Sequence, residues 1–209
     1  MNIIKKLADD DSLRISWYSE TTDLLGPYSR FALWVQGCCR YCEGCIALEM
    51  QDIHGGKCVK ISSLAETVLM QKNTEGITIS GGEPFYQADK LAVLIENIRS
   101  RRPDFGVIVY TGYTIDELRM SGEKGVLGLL NLCDILIDGP YKEELDDNCG
   151  LRGSSNQRVI PLTDRYLNNM EQYESLSGRK SSFVFSENRL QMIGIPSQTA
   201  KEILKKSIL

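Results

Sequence analysis

The sequence predicts an α/β fold in which a mostly parallel sheet forms a partial, open (β/α) barrel. Four short apolar runs with β-type composition alternate with stretches of helical periodicity through the middle of the chain. Three of these runs end in glycine and polar residues, at the end of the strand where parallel sheets bind ligands. The runs are too few for an eight-stranded closed barrel, so we expect the sheet to stay open.

Apolar alternation and short apolar runs predict strands at residues 13–18, 31–35, 76–80, 106–110, 134–137 and 158–160. Helical spacing predicts helices at residues 62–72, 87–102, 114–120 and 127–132. Ser62 is a candidate cap for the first helix, and Pro103 stops the second. Thr114 and Glu117 have the spacing of a capping box at the start of the third. Residues 50–60 are predicted to form a loop.

The composition and periodicity of the chain change after residue 162. Residues 163–180 are polar without a clear period, residues 182–185 and 190–193 predict a β-hairpin, and residues 198–204 predict a closing helix. We expect one domain overall: a core of residues 1–162, including an N-terminal strand, and a C-terminal extension of residues 163–209 packed on it. The extension either covers a sheet edge or contacts a partner.

Composition and charge exclude several classes of function. The 209 residues carry a net charge of −4, and no clustered basic face suggests a nucleic-acid partner. No apolar run approaches the roughly 20 residues that a membrane helix needs. The first eleven residues are polar and lack a signal-peptide core. We therefore expect a cytoplasmic protein with neither nucleic acid nor membrane among its partners.

Three cysteines have a spacing with a chemical meaning: Cys38, Cys42 and Cys45 form a Cys-x3-Cys-x2-Cys motif. Iron–sulfur clusters are bound by cysteine thiolates, and a cluster of four irons normally takes four of them. A loop that offers three leaves one iron open, and open positions are typical of metal sites that do chemistry. The motif predicts a [4Fe-4S] cluster that a small molecule completes.

Zinc and disulfides are the alternative uses of these cysteines. A structural zinc needs four ligands, usually as two pairs. The remaining cysteines, Cys58, Cys133 and Cys149, stand singly, and the sole histidine is His54. Disulfides are rare in the expected compartment. Cys39 falls off the ligand spacing and is expected to be a packed or partly exposed thiol.

A second motif, Gly81-Gly82-Glu83-Pro84, follows the strand predicted at residues 76–80. Two glycines let a backbone approach a ligand closely, and a glutamate accepts a strong hydrogen bond from an ammonium group. A Gly-Gly pair also makes ordinary turns, so the motif alone does not decide. Its position behind a strand and downstream of the three cysteines predicts a site for an amino acid beside the cluster.

The two motifs together resemble those of radical S-adenosylmethionine (SAM) enzymes. The strings at residues 110–113, 138–140 and 152–157 narrow the resemblance to glycyl radical enzyme activases, in particular those of anaerobic ribonucleoside-triphosphate reductase. The resemblance extends from about residue 29 to residue 160. It implies a cluster and SAM as cofactors, and reductive cleavage of SAM to a 5′-deoxyadenosyl radical. The implied partners are the large subunit of the reductase, whose glycine loses a hydrogen atom, and a flavodoxin-like electron donor.

The resemblance also assigns residues to roles. The cluster ligands are Cys38, Cys42 and Cys45; the methionyl amino group meets Gly81, Gly82 and Glu83; the adenine lies against Gly44, Cys45 and Ile46. Thr111 and Asp138 are candidates for the ribose or the methionyl carboxylate, or else ordinary polar residues at strand ends. Asn156 and Arg152 could also reach the pocket. No catalytic side chain is expected beyond the cluster and SAM, because hydrogen abstraction by a carbon radical needs no general base.

The sequence also allows two other functions. A radical SAM enzyme can act directly on a peptide or a small metabolite, with the same cofactors. A non-catalytic iron–sulfur or zinc-binding module would bind metal without cleaving SAM, although the Gly-Gly-Glu motif at a strand end argues against it.

Overall fold

The structure is a computed structural model that describes residues 11–171, 179–186 and 189–201. Its main sheet has seven strands among these residues: β1 (Ser12–Thr22), β2 (Arg30–Val35), β3 (Lys57–Lys60), β4 (Gly76–Gly81), β5 (Gly106–Tyr110), β6 (Ile135–Asp138) and β7 (Arg158–Pro161). Their order across the sheet is β3-β1-β2-β4-β5-β6-β7. The four central strands β2, β4, β5 and β6 are parallel, and the outer strands pair antiparallel. The described strands form an open sheet, which confirms the predicted α/β class and partial barrel.

In the part of the chain that the structure describes, four helices cover one face of this sheet: α1 (Ile61–Met70), α2 (Ala88–Arg99), α3 (Ile115–Met120) and α4 (Lys124–Leu132). The side chains of Phe31, Leu33 and Val35 in β2 belong to the same buried cluster as the apolar faces of these helices. The intervening Ala32 and Trp34 lie in a second cluster on the other face. Every residue of β2 is buried, as expected for a parallel strand covered on both sides.

The structure corrects two predictions near the first helix. Residues 57–60, predicted as loop, form the edge strand β3, which pairs antiparallel with β1. The pattern was missed because the side chains of β3 are mostly exposed, so the strand carries no apolar alternation. Helix α1 begins at Ile61 without a serine cap; the Ile61 amide donates instead to the backbone carbonyl of Asp11.

The other helices follow the predictions with shifted ends. A 3₁₀ turn, Pro84–Gln87, precedes α2, so this helix begins at Ala88 and ends at Arg99. The capping box at Thr114 is confirmed, because its hydroxyl accepts from the Glu117 amide and the Glu117 carboxylate accepts in return. Helix α4 begins at Lys124, three residues earlier than the apolar spacing suggested.

The C-terminal extension contributes to the sheet face that the helices leave open. Within residues predicted to lack regular structure, Asp164–Asn169 form a 3₁₀ helix that buries Tyr166. The Tyr166 hydroxyl accepts from the buried Arg30 guanidinium at 2.9 Å and also bonds Glu75. A single tyrosine in a polar stretch gives no periodic signal, so the sequence did not reveal this anchor.

The predicted hairpin is confirmed as β8 (Ser181–Ser186) paired with β9 (Arg189–Gly194). Ile193 of β9 is buried against Leu25, Trp34 and Met50 on the open face of the sheet. The predicted closing helix is present at residues 198–201, and its last residues, 202–204, lie outside the described part of the chain. None of the described helices has the length and apolar character needed to cross a membrane.

Candidate functional site

The parallel strands bring the sequence motifs to one edge of the sheet. Strand β2 ends at Val35 and leads directly into the cysteine loop, residues 37–46. Its neighbour β4 ends at Gly81, with Val35 and Gly81 in register. Two backbone hydrogen bonds then join the motifs: the Gly82 amide donates to Val35 O and the Glu83 amide to Gly37 O, both at 2.8 Å. The Gly-Gly-Glu motif therefore lies against the start of the cysteine loop.

The three cysteines of the motif are half-buried, whereas Cys39 is exposed. The Arg40 amide donates to the Cys38 sulfur at 3.4 Å, and the nearby backbone N–H of Tyr141 lowers the pKa of the Cys42 thiol against the larger effect of burial. Burial raises the pKa of the Cys38 thiol to about 11 and also raises the pKa of Cys42. Both thiols are therefore protonated at neutral pH without metal, and metal binding must displace the protons.

The donor set suits an iron–sulfur cluster. The three thiols lie in one loop, and a cubane binds each thiolate to a different iron. An amide hydrogen bond to the sulfur, as at Cys38, is typical of cluster ligands. The three thiols therefore fit a cluster with one open iron.

Close packing explains why both residues before Glu83 are glycines. Gly81 has a φ of +106°, and a Cβ there would stand 2.5 Å from the backbone of Val35. A Cβ at Gly82 would stand 2.3 Å from the carbonyl oxygen of Gly37. A side chain at Gly81 would push β4 away from β2, and one at Gly82 would push the motif away from the cysteine loop. The glycines thus hold the two motifs in contact.

The Glu83 side chain is buried and accepts three hydrogen bonds from protein donors. Its carboxylate accepts from the Phe85 amide at 3.0 Å, the Thr111 hydroxyl at 2.8 Å and the Gly112 amide at 2.8 Å. Burial raises the pKa of Glu83, and the Gly112 and Phe85 amides oppose that effect. In this structure the carboxylate therefore joins the ends of β4 and β5, and its backbone faces the cysteine loop.

Thr111 and Asp138 lie at the same edge and are also bonded within the protein. Besides donating to Glu83, the Thr111 hydroxyl accepts from the Tyr113 amide at 3.1 Å. The buried Asp138 carboxylate accepts from the Ile115 amide at 2.8 Å and from Arg158 Nε at 2.9 Å, in an ion pair. The structure brings both residues to the predicted rim and gives each of them strand-end partners.

The loop of residues 152–157 closes over the end of β6. Asn156 Nδ2 donates to Pro140 O at 2.8 Å, and its Oδ1 is buried without a partner in the described part of the chain. An orphaned buried acceptor is the kind of group that a ligand donor satisfies. Arg152 pairs with Asp147, and its Nε is likewise buried without a partner in the described part of the chain. Each of these two weaker candidates therefore keeps one buried polar atom for a ligand.

Two residues beside the cysteine loop were not singled out from the sequence. Glu143 lies over Gly44, because a Cβ at Gly44 would stand 2.6 Å from a Glu143 carboxylate oxygen. The backbone N–H of Tyr141 lies beside Cys42. Both follow β6 in a short polar stretch whose composition is that of an ordinary surface loop. Gly44 and Ile46, predicted to face the adenine, lie in the cysteine loop, and Ile46 is exposed.

Comparison with known proteins shows the family. A family model described as "4Fe-4S single cluster domain" matches residues 24–160. Anaerobic ribonucleoside-triphosphate reductase-activating proteins of Vibrio cholerae and Escherichia coli K12 are 32% and 33% identical, each over 66% of this chain and 91% of their own. The one from bacteriophage T4 is 29% identical over 66% of this chain and 88% of its own. QueE from Escherichia coli aligns with a TM-score of 0.42 at 11% identity, over 64% of this chain and 73% of its own.

The site and the family model define the class as iron–sulfur enzymes with a single [4Fe-4S] cluster, of the radical SAM type. The chain belongs to the family of anaerobic ribonucleoside-triphosphate reductase-activating proteins. This confirms the resemblance drawn from the motifs, with the cluster and SAM as cofactors. The family model ends at residue 160, so the C-terminal extension lies beyond it.

Proposed function

We propose that this enzyme installs a glycyl radical on an anaerobic ribonucleoside-triphosphate reductase, with a flavodoxin-like protein as electron donor. The observation that carries the proposal is the identity of 32–33% to reductase-activating proteins over 91% of their length. The shared edge of the cysteine loop and the Gly-Gly-Glu motif supports it, because it places a cluster beside an amino-acid site. When bound, the cluster and SAM supply a carbon radical that can remove a hydrogen atom from a glycine.

The residues of the chain bind and orient these groups. We assign Cys38, Cys42 and Cys45 to three irons, which leaves the fourth for SAM. We assign the methionyl ammonium to the backbone of Gly81 and Gly82, since the Glu83 carboxylate already accepts from Thr111 and Gly112. Glu83 thereby positions the glycines.

The pocket wall is completed by residues on the neighbouring strand ends. The Arg40 guanidinium stacks 4.6 Å from the centre of the Tyr113 ring and fixes the middle of the cysteine loop on the end of β5. The orphaned Oδ1 of Asn156 is assigned to a SAM hydroxyl or amino donor. Side chains packed around the radical would keep water from it.

Exposed apolar side chains around the cysteine loop support a large protein partner. Tyr41, Ile46 and Leu48 are each more than half exposed, in or just after the loop. Apolar side chains grouped on a surface mark sites of protein contact. A small-metabolite enzyme would instead be expected to bury such groups around its substrate.

The test is an anaerobic assay of the reconstituted enzyme with SAM, a reductant and the reductase. We expect 5′-deoxyadenosine and a glycyl radical signal on the reductase in electron paramagnetic resonance spectra, both lost when SAM is omitted. Formation of 5′-deoxyadenosine without a radical on the reductase would contradict the assigned partner and favour direct action on a peptide or metabolite. Iron binding without SAM cleavage would contradict the enzymatic role itself.

A further inference from the structure

We infer that the C-terminal extension is a positioning element for the cluster: Arg179 and Lys201 hold residues 141–147 against the cysteine loop and so raise the cluster's reduction potential. We call residues 141–147 the bracing segment. The inference rests on the proposed function only in assuming that the cysteine loop binds a cluster. The extension lies outside the matched family model, which ends at residue 160.

The bracing segment contacts the cysteine loop at two points. The backbone N–H of Tyr141 lies close enough to the Cys42 thiol to lower its pKa. The Glu143 side chain lies over Gly44, close enough that a Cβ at Gly44 would meet it at 2.6–2.9 Å. These contacts fall on the second ligand and on the residue before the third. A shift of the bracing segment would therefore change the surroundings of both Cys42 and Gly44.

The extension contacts the bracing segment through charged side chains, which form hydrogen bonds and ion pairs with it. Arg179 donates to Asp146 Oδ1 at 2.6 Å and to Gly153 O at 2.8 Å. Lys201 donates to the Tyr141 hydroxyl at 2.9 Å, ion-pairs with Asp146, and lies 4.8 Å from the centre of the Tyr141 ring. Lys201 thus contacts the same residue whose amide reaches Cys42.

Burial makes the contacts between the extension and the bracing segment costly to break. The side chain of Arg179 is 0% exposed and that of Asp146 only 3%. Removing one partner of a buried ion pair leaves the other charged and unpaired, which is far more costly than losing a surface pair. The network therefore has one well-defined arrangement, and that arrangement fixes the place of Tyr141.

The consequence for the cluster follows from hydrogen bonding at sulfur. Reduction adds negative charge to the cluster, and an N–H donor at a ligating thiolate stabilises the more negative state. A firmly held Tyr141 amide therefore raises the reduction potential, which makes the cluster easier to reduce. Loosening the bracing segment lowers the potential.

The test compares Lys201→Met and Arg179→Met with the wild type in two measurements. In the protein without its cluster, hydrogen exchange of the amides in residues 38–46 should become about tenfold faster, which corresponds to about 1.4 kcal/mol of opening free energy. In the reconstituted protein, a spectroscopic redox titration should show a potential shifted to more negative values, with the iron content unchanged. Lys201→Arg, which keeps the charge, should restore both readouts in large part.

Lys180→Met is the matched control, because Lys180 is the exposed neighbour of Arg179. It should leave both readouts at the wild-type values. If a single variant fails to fold, the pair Asp146→Asn with Arg179→Met removes both charges and answers the same question. Wild-type exchange and potential in the folded variants would overturn the inference. A wild type that takes up no cluster would refute the proposed function instead, and the exchange comparison would still decide the bracing role.

Discussion

The carboxylate of Glu83 accepts a hydrogen bond of 2.8 Å from the Thr111 hydroxyl, which links the ends of the parallel strands β4 and β5 beside the cysteine loop. Glu83→Gln replaces one acceptor oxygen by an NH2 group that faces a donor. We expect a loss of about 1–3 kcal/mol in the free energy of unfolding, as measured by anaerobic urea denaturation. Glu49→Gln, at an exposed position, is the control and should change stability by less than about 0.5 kcal/mol. Equal stability of the Glu83 variant and the wild type would contradict the assigned linkage.

Gly82→Ala tests the close contact between β4 and the cysteine loop. The new Cβ would stand 2.3 Å from Gly37 O, so the backbone must move, at a cost of about 1–3 kcal/mol. We expect weaker SAM binding, measured by equilibrium dialysis of the reconstituted protein, together with a lower melting temperature. Gly128→Ala is the control, because in α4 the nearest atom to its new Cβ is 3.9 Å away. Unchanged SAM affinity in Gly82→Ala would show that the contact does not shape the site.

Cys42→Ala and Cys39→Ala separate the motif cysteines from their neighbour. Cys42 has ligand spacing and is half-buried, whereas Cys39 is exposed and off the spacing. We expect Cys42→Ala to lose the cluster absorption, most of the bound iron and all 5′-deoxyadenosine formation. Cys39→Ala should keep all three. Retention of a four-iron cluster by the Cys42 variant would remove it from the ligand set.

Leu48→Asp probes the exposed apolar group beside the cysteine loop. A charge at this position should weaken docking of the reductase and raise the KM for the reductase at least about tenfold. SAM cleavage without the reductase should stay within about twofold of wild type. Met70→Asp is the matched control: Met70 is similarly exposed but lies at the C-terminal end of α1, near the start of β4 at the opposite edge of the sheet. Equal effects of the two variants would show that the group is no docking surface.

Asp146 makes the docking of the extension sensitive to acid. Burial raises the pKa of Asp146, but the hydrogen bond from Lys201 and the charge of Arg179 outweigh burial and lower it overall. A lowered folded-state pKa gives stability that is complete above the unfolded value of about 3.9 and is lost as the pH falls through the folded value. The melting temperatures of wild type and Asp146→Asn, followed by calorimetry, should therefore differ above about pH 5 and converge in stronger acid. A difference that is constant across this range would contradict the role of the carboxylate.

The sequence predicted local structural features wherever neighbouring residues determine them. The capping box at Thr114 depends on residues three apart, and the structure contains it as predicted. The parallel order of β2, β4 and β5 follows from their apolar runs, and it brings Gly81 beside the end of β2. Strand β3 was missed because its side chains are mostly exposed and its partner β1 is more than thirty residues away.

The sequence by itself determined the α/β class, the three-cysteine loop and the Gly-Gly-Glu motif, because each depends on periodicity or spacing over a few residues. Only the tertiary structure shows that the Glu83 carboxylate accepts from Thr111 and Gly112, and that the backbone of Tyr141 lies beside Cys42. It alone joined Arg179 and Lys201 to Asp146. The physical reason is that hydrogen bonds and ion pairs between distant segments depend on where the folded chain places each donor, and no local pattern records that placement.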